Sequence, residues 1–239
     1  METATDAHVR AQVDDGVLVV TLDDGERNAL RPASFTALEQ ALDHDAAAVV
    51  LAGRPGVLTA GLDVKWMAAH GRQGTTELLT GLGRCLMRWW TDPRPTVCAA
   101  TGHAVAAGTL LAMACDHAVA AEGGYWGLTE TQIDFEMPMF GIALARANVR
   151  ADRLEDLMLP GARIDAAAAV EAGYADELRS PDEVADHALE RARQLADLPA
   201  RAYGRTKQRL RGEAAQAVLD HLDADLVEVT AHLDDAPPA

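Results

Sequence analysis

The chain has 239 residues, enough for one large domain or two small ones, and 49% of them are apolar. Aromatics contribute only 4%, so a core of useful size must be built from Ala, Val and Leu. The net charge of -16 argues against a nucleic-acid partner, whose phosphates need a basic face, and against adhesion to an anionic membrane surface.

The three cysteines, Cys85, Cys98 and Cys115, form no C-x-x-C and no paired framework, a count that suits a reducing compartment. The first residues, METATDAHVRAQVDDG, are acidic and contain no apolar run of the signal-peptide kind. The longest apolar run, Ala104 to Cys115, falls short of the roughly 20 residues that span a bilayer. These features predict a soluble, cytoplasmic protein.

In chain order, His8 to Asp14 and Val17 to Asp23 are Val-rich runs separated by Asp15-Gly16, which predicts a β-hairpin. Asn28-Ala29-Leu30 leads into a helix with Pro32 in its first turn and Phe35, Leu38, Ala41 and Leu42 at helical spacing. Ala47 to Ala52 predicts a short buried strand, and Gly53 to Asp63 a glycine-rich loop. Asp63 is positioned to cap a short helix from Val64 to Ala69. Thr75 to Trp90 predicts a longer helix, ended by Asp92-Pro93-Arg94-Pro95. Thr96 to Thr101 predicts a strand ending at Gly102, Gly108 to Ala114 a helix, Asp116 to Ala121 a strand and Tyr125 to Gly127 a brief one. Helices are predicted over Pro138 to Asn148, Ala151 to Leu159 and, capped by Asp165 and closed by Gly173, up to Ala172. Tyr174 to Leu178 is a last strand. Everything after Pro181 reads as helical, with breaks at Pro199 and Gly212 and a disordered DDAPPA tail. Strands alternating with helices, followed by helices alone, give an α/β class.

Several chemistries are excluded. The only serines, Ser34 and Ser180, each neighbour a proline and read as turn or cap residues, and neither lies in G-x-S-x-G. No P-loop or G-x-G-x-x-G occurs, and the eight histidines show no metal-ligand spacing. His103 and His117 read as structural.

The segment Thr101 to Met139 concentrates what remains. Its first half is nearly free of charge and dense in Ala and Gly; its second half sets Glu130 among small and apolar neighbours. Small residues let backbone approach a ligand closely. An acid in apolar surroundings holds its proton more tightly and becomes usable near neutral pH. Thr59 to Asp63 and Val105 to Gly108 each precede a helix, so each can offer backbone N–H groups to developing negative charge. Two such groups on one carbonyl oxygen would form an oxyanion hole; spacing alone favours ordinary small-residue turns.

Asn28-Ala29-Leu30, LTAGLDVKWM (Leu58 to Met67), TGHAVAAGTLLAMACD (Thr101 to Asp116) and GLTETQIDFEMP (Gly127 to Pro138) together resemble the crotonase superfamily, the enoyl-CoA hydratases and isomerases. The likeness covers roughly residues 9 to 211. It implies a spiral of ββα units over residues 1–199, a helical trimerisation region over residues 200–239, an acyl-CoA thioester as substrate with no further cofactor, and a homotrimer or hexamer. By position, the oxyanion amides fall on Leu62 and Ala107, where the family usually has Gly at the second place. Ala keeps the N–H but restricts φ. Hydratases of the family use two glutamates; the first matches Leu110, which has no acid–base capacity, and the second matches Glu130. GLTETQIDF is also similar to the GLNETQ-type segment of mitochondrial Δ3,Δ2-enoyl-CoA isomerases, which rely on the matching glutamate alone. The resemblance therefore implies an isomerase with Glu130 as base, walled by Trp126, Ile133 and Met137. Glu136 either reaches the pocket as a second acid, which would restore hydratase or lyase chemistry, or faces solvent. A non-catalytic acyl-CoA-binding subunit is the third reading. Ala60 and Lys65, on the loop along which CoA lies, and Lys207, in a basic island with Arg201, Arg205, Arg209 and Arg211, match CoA-contacting regions. For Lys207 a solvated helix face is the alternative. Trp66 is a candidate wall of the acyl tunnel, with a core or interface role as the alternative.

Overall fold

The computed structural model describes residues 8–234. Residues 1–7 of the acidic N-terminal segment and nearly all of the DDAPPA tail lie outside that range. Strands β1 (Val9–Asp14) and β2 (Val17–Leu22) pair antiparallel, from Val9 against Leu22 to Asp14 against Val17. Asp15 and Gly16 both take positive φ, as the tight hairpin turn demands. Helix α1 (Pro32–Ala41) follows, with the Ser34 hydroxyl accepting the Arg31 N–H at its start.

Three ββα units then repeat one path. In each, the first strand joins a six-stranded sheet and the second a four-stranded sheet before a helix returns. The units are β3 (Ala48–Ala52), β4 (Gly56–Thr59) and α2 (Val64–Thr91); β5 (Thr96–Ala100), β6 (Gly102–Val105) and α3 (Ala107–Ala114); and β7 (His117–Ala121), β8 (Tyr125–Gly127) and α4 (Met139–Asn148). Helix α5 (Leu154–Met158), β9 (Ile164–Asp165), α6 (Ala166–Ala172), β10 (Glu177–Arg179), α7 (Val184–Ala196) and α8 (Ala200–Val229) complete the order. The large sheet runs β1-β2-β3-β5-β7-β10 and the small one β4-β6-β8-β9. Only the β1–β2 and β8–β9 pairs are antiparallel. This is the expected α/β spiral of ββα units with helices at its C-terminal end.

Buried runs such as Ala48–Ala52 and Thr96–Ala100 are covered on both faces, which parallel strands require. On one side of the large sheet, α7 sets Val184, Ala188 and Ala192 against Val17, Val50, Val97 and Val119. On the other, the main core takes in α1, α2, α3 and the α8 residues Ala215, Val218, Leu222 and Leu226. Asn28, at φ 54, ties the start of this core together: its Nδ2 donates to the carbonyls of Leu22 (2.9 Å) and Leu58 (2.8 Å). None of the described helices is long and apolar enough to cross a membrane.

Three expectations need correction. Gly53 to Asp63 is not loop throughout, because β4 lies within it. The chain does not leave strand at Gly102 either, because β6 begins there. Four-residue strands are too short to show periodicity. Their glycines serve approach instead: a Cβ on Gly102 would meet the Gly56 carbonyl at 2.0 Å. Gly212 does not break α8, which runs unbroken from Ala200 to Val229. An interior helical glycine costs only about 1 kcal/mol, which packing of α8 against α2 and α4 outweighs.

Candidate active site

Two loops close on each other between the sheets. Gly61, at φ +98, precedes Leu62; a Cβ there would lie 3.3 Å from the Ala106 Cβ and 3.8 Å from the Ala107 nitrogen. A Cβ on Gly108 would meet the Thr59 carbonyl oxygen at 2.8 Å. Glycine at both positions thus lets the turn after β4 sit against the start of α3. Thr59 braces the first loop: its hydroxyl donates to the Asn28 carbonyl and accepts the Gly61 N–H at 3.0 Å. Thr109 braces the second, donating to the Ala104 carbonyl at 2.7 Å and accepting the Gly127 N–H at 3.1 Å.

Among the described residues, the Leu62 and Ala107 N–H groups meet no hydrogen-bond acceptor. Ala107 opens α3, where the first amides have no partner within the helix. The expected restriction on φ falls one residue earlier than the sequence suggests. Ala107 does not take positive φ; Ala106 does, at φ 54 and ψ -118, close to the first central position of a type II′ turn.

Glu130 opens a short 3-10 turn, Glu130–Ile133. Asp134, at φ 58, closes it, and the Asp134 and Phe135 N–H groups both donate to the Glu130 carbonyl. The Gly161 loop pins the turn from behind: Gln132 Nε2 donates to the Gly161 carbonyl at 2.8 Å. The Glu130 side chain is half-buried, and its Oε2 is fully buried without a hydrogen-bond partner among the described residues. Burial pushes its pKa up to about 7; its own backbone N–H opposes the shift weakly.

Ala60, Leu62, Ala106, Ala107, Leu110 and Glu130 line one cavity of about 250 Å³, completed by apolar side chains that include Met67, Leu79, Phe135 and Met137. Among the described residues, Glu130 is its only ionisable lining residue. Ile133 and Met137 contribute to its wall as expected; Trp126 does not, being packed in the core. Trp66 is also absent from the wall and stacks on His70 at 4.0 Å between ring centroids. Larger hollows beside α8 contain none of Leu62, Ala107 and Glu130.

Two expected site residues stand elsewhere. Glu136 is exposed and does not line the cavity, although its neighbours Phe135 and Met137 do. Lys207 does not face solvent or a ligand phosphate. Its side chain is 4% exposed, and its Nζ donates to Asp116 Oδ2 at 2.8 Å and to the Arg94 carbonyl at 2.9 Å. The basic island is thus divided: Lys207 and Arg211 hold Asp116, while Arg201, Arg205 and Arg209 are exposed. Lys65 is exposed in the first turn of α2, next to the cavity-lining Val64. His117 pairs with Glu177 at 3.0 Å and His103 accepts the Tyr125 N–H at 3.1 Å, so both are structural. Among the described residues no cluster of three or more His, Cys, Asp or Glu is arranged to hold a metal.

The ββα spiral around an apolar cavity with one raised-pKa carboxylate is matched among known proteins. The enoyl-CoA hydratase/isomerase family model matches residues 12–235, and the chain belongs to that family. It is 38% identical over 196 residues to a putative enoyl-CoA hydratase of Thermus thermophilus, covering 78% of this chain and 76% of the relative. A Mycobacterium tuberculosis protein superposes with a TM-score of 0.90 at 29% identity, covering 95% of this chain and 98% of that one. That protein is described in this structure as a probable enoyl-CoA hydratase and in another, at TM-score 0.86, 30% identity and 91% and 98% coverage, as an enoyl-CoA isomerase. Human mitochondrial Δ3-Δ2-enoyl-CoA isomerase shares the fold at TM-score 0.88 and 24% identity, with 95% of this chain and 92% of that one covered.

Proposed function

We propose that the chain is an enoyl-CoA isomerase that moves a double bond from the 3 to the 2 position of an acyl-CoA thioester, with Glu130 as its only base. The observation that carries this reading is the cavity's single ionisable side chain among the described residues, which shares the cavity wall with a Leu110 that cannot handle a proton. Water addition across a double bond draws on two groups that orient and split water. A double-bond shift needs one base that takes and returns the same proton.

The thioester oxygen accepts hydrogen bonds from the Leu62 and Ala107 amides. The Glu130 carboxylate removes a proton from C2 of the 3-enoyl group, and the electron pair delocalises onto the thioester oxygen as a dienolate. Glu130 then returns the proton to C4, leaving the conjugated 2-enoyl thioester. Each amide donor to such an oxygen contributes about 2.7–4 kcal/mol to barrier lowering. A pKa near 7 suits the role, since Glu130 must be ionised to take the proton and acidic enough to give it back. The reading requires no metal or redox cofactor. Ala60 and Lys65 lie along the CoA, with Lys65 meeting a phosphate. The exposed Leu210 and Val227 of α8 support assembly into a homotrimer or hexamer, and the absence of a spanning helix among those described is consistent with a cytoplasmic enzyme.

Hydratase chemistry has the Thermus thermophilus relative's description in its favour but would need a second acid, and Glu136 stands outside the cavity. Incubation with 3-enoyl-CoA and 2-enoyl-CoA, read by mass and by ultraviolet absorbance, separates the readings. The expected result is conversion of 3-enoyl-CoA without change of mass, and no hydration of 2-enoyl-CoA. A product heavier by one water from the 2-enoyl thioester would establish the hydratase. Binding without any product would leave an acyl-CoA-binding subunit.

A further inference from the structure

The cavity that holds Glu130 has an open side and a sealed one. Val64 and Ile133 on its wall are exposed, whereas Leu79, Leu82, Leu110 and Phe140 are at most 2% exposed. Leu82 of α2 and Phe140 of α4 both line the sealed side. A Cβ on Gly83, the residue after Leu82, would lie 2.9 Å from Phe140 Cδ1 and 2.9 Å from Leu222 Cδ1. The Phe140 ring is therefore seated on the α2 backbone beside Leu222 of α8, a close-packed position that leaves it little room to move. The adjoining wall is equally tight. A Cβ on Gly141 would collide with Met137 Sδ and lie 3.6 Å from Leu110 Cδ2.

The space so enclosed is about 250 Å³. An apolar cavity of about 150 Å³ takes one benzene, or about 25 Å³ per carbon. On that scale this cavity takes about ten non-hydrogen atoms. The carbon, oxygen and sulfur of a thioester beside Glu130 use some of that room and leave space for about seven further carbons. Among the described lining residues all but Thr129 and Glu130 are apolar, so a hydroxyl on the distal carbons would be buried without a partner. We propose that the cavity selects a purely aliphatic acyl chain of up to about eight carbons, with Phe140 and Leu82 as the residues that stop it. This rests on the acyl-CoA reading of the site and not on the isomerase step. Each methylene short of the stop exchanges water for apolar contact and raises affinity about fourfold. Further methylenes must push Phe140 aside or stay in water, so the gain ends there.

The test is the affinity of the wild-type chain for saturated acyl-CoA thioesters from butyryl to dodecanoyl, measured by titration calorimetry below the concentrations at which the longer ones form micelles. Affinity is expected to rise about fourfold per methylene as far as octanoyl-CoA and then to stop, with dodecanoyl-CoA about tenfold weaker than octanoyl-CoA. The ω-hydroxy form of octanoyl-CoA should also bind about tenfold more weakly than octanoyl-CoA. Phe140→Ala opens the sealed side toward Leu222 and should raise the ratio of dodecanoyl to butyryl affinity about tenfold. If Phe140→Ala does not fold, Leu82→Ala opens the same side and is read by the same ratio; the wild-type series needs no variant. An affinity that climbs steadily through dodecanoyl-CoA overturns the proposal. So does a ratio that stays at its wild-type value in the folded variants, and equal affinity for the hydroxylated chain overturns the aliphatic preference. Absence of binding at every length would overturn the acyl-CoA reading itself. A chain-length limit in a protein that converts no 3-enoyl-CoA would sink the isomerase reading and leave the limit standing.

Discussion

Lys207 Nζ lies 2.8 Å from Asp116 Oδ2, in a position where both side chains are less than a tenth exposed. Asp116, just before β7, gathers partners from two parts of the chain, the start of β5 and the first turns of α8. Its Oδ2 also accepts the Thr96 N–H at 2.9 Å and the Tyr203 hydroxyl at 2.8 Å, and its Oδ1 accepts from Arg211 at 2.6 Å. The cluster fastens the first turns of α8 to the large sheet. Removing one partner of such a pair leaves a buried charge uncompensated, which costs about 3 kcal/mol or more. Lys207→Met is expected to lower Tm by roughly 6–12 °C. In the same variant, KM for acyl-CoA measured well below Tm should stay at its wild-type value. A raised KM with unchanged Tm would return Lys207 to the substrate.

Glu130 imposes a pH dependence of known sign. Its folded pKa of about 7 lies above the ordinary value of 4.5. Between those values the folded state keeps a proton that the unfolded state has released, so stability falls as pH rises across that window and levels off above it. Glu130→Gln removes this slope. The variant should gain on the order of 2–3 kcal/mol over wild type between pH 5 and pH 8, read as the difference between two urea-unfolding series.

The same substitution should remove activity. Proton transfer by a positioned base contributes about 10²–10⁴-fold, so kcat for 3-enoyl-CoA should fall by at least 100-fold in Glu130→Gln. In the wild-type enzyme kcat/KM should rise with pH along a single limb centred near 7. Glu136→Gln should leave both the rate and its pH profile as they are.

Ala106 holds φ 54 and ψ -118 beside the candidate oxyanion amide, a conformation that glycine adopts freely and alanine does not. Ala106→Gly is expected to stabilise the protein by about 1 kcal/mol, the relief of strain exceeding the added chain entropy of unfolding. Gly61→Ala should do the reverse, because its added methyl meets both positive φ and the Ala106 Cβ. Chemical denaturation midpoints of the two variants should move in opposite directions.

Leu110 is 1% exposed at the wall of the cavity that Glu130 lines, so a glutamate there would add a second acid to it. Leu110→Glu should lower stability by about 2 kcal/mol, since the new carboxyl is buried beside apolar groups. It should also allow a measurable mass gain of one water on 2-enoyl-CoA. A folded variant that still adds no water would show that a second acid is not sufficient for hydration in this cavity.

Much of the architecture was legible in local signals. Asp15-Gly16 gave the hairpin, Asp63 and Asp165 the caps of α2 and α6, and the buried Val- and Ala-rich runs the strands of the large sheet. The short helix and the longer helix expected on either side of residue 71 are present as one α2 bent at Gly71, whose φ is 61. The four-residue strands of the small sheet were not legible, because pairing between distant segments defines them rather than any periodicity of their own. Ala106 was missed as well, because no short-range pattern tells a reader that an alanine takes positive φ.

The sequence by itself determined the residue types of the chemistry: a lone Glu130 among apolar neighbours, a leucine at 110, and glycines at 61 and 108 that permit close approach. Tertiary structure alone decided which of the charged candidates enter the site. Burial belongs to the assembled fold and not to any local stretch. Phe135 and Met137 therefore turn into the cavity while Glu136 between them stays in solvent, and the docking of α8 turns Lys207 inward onto Asp116.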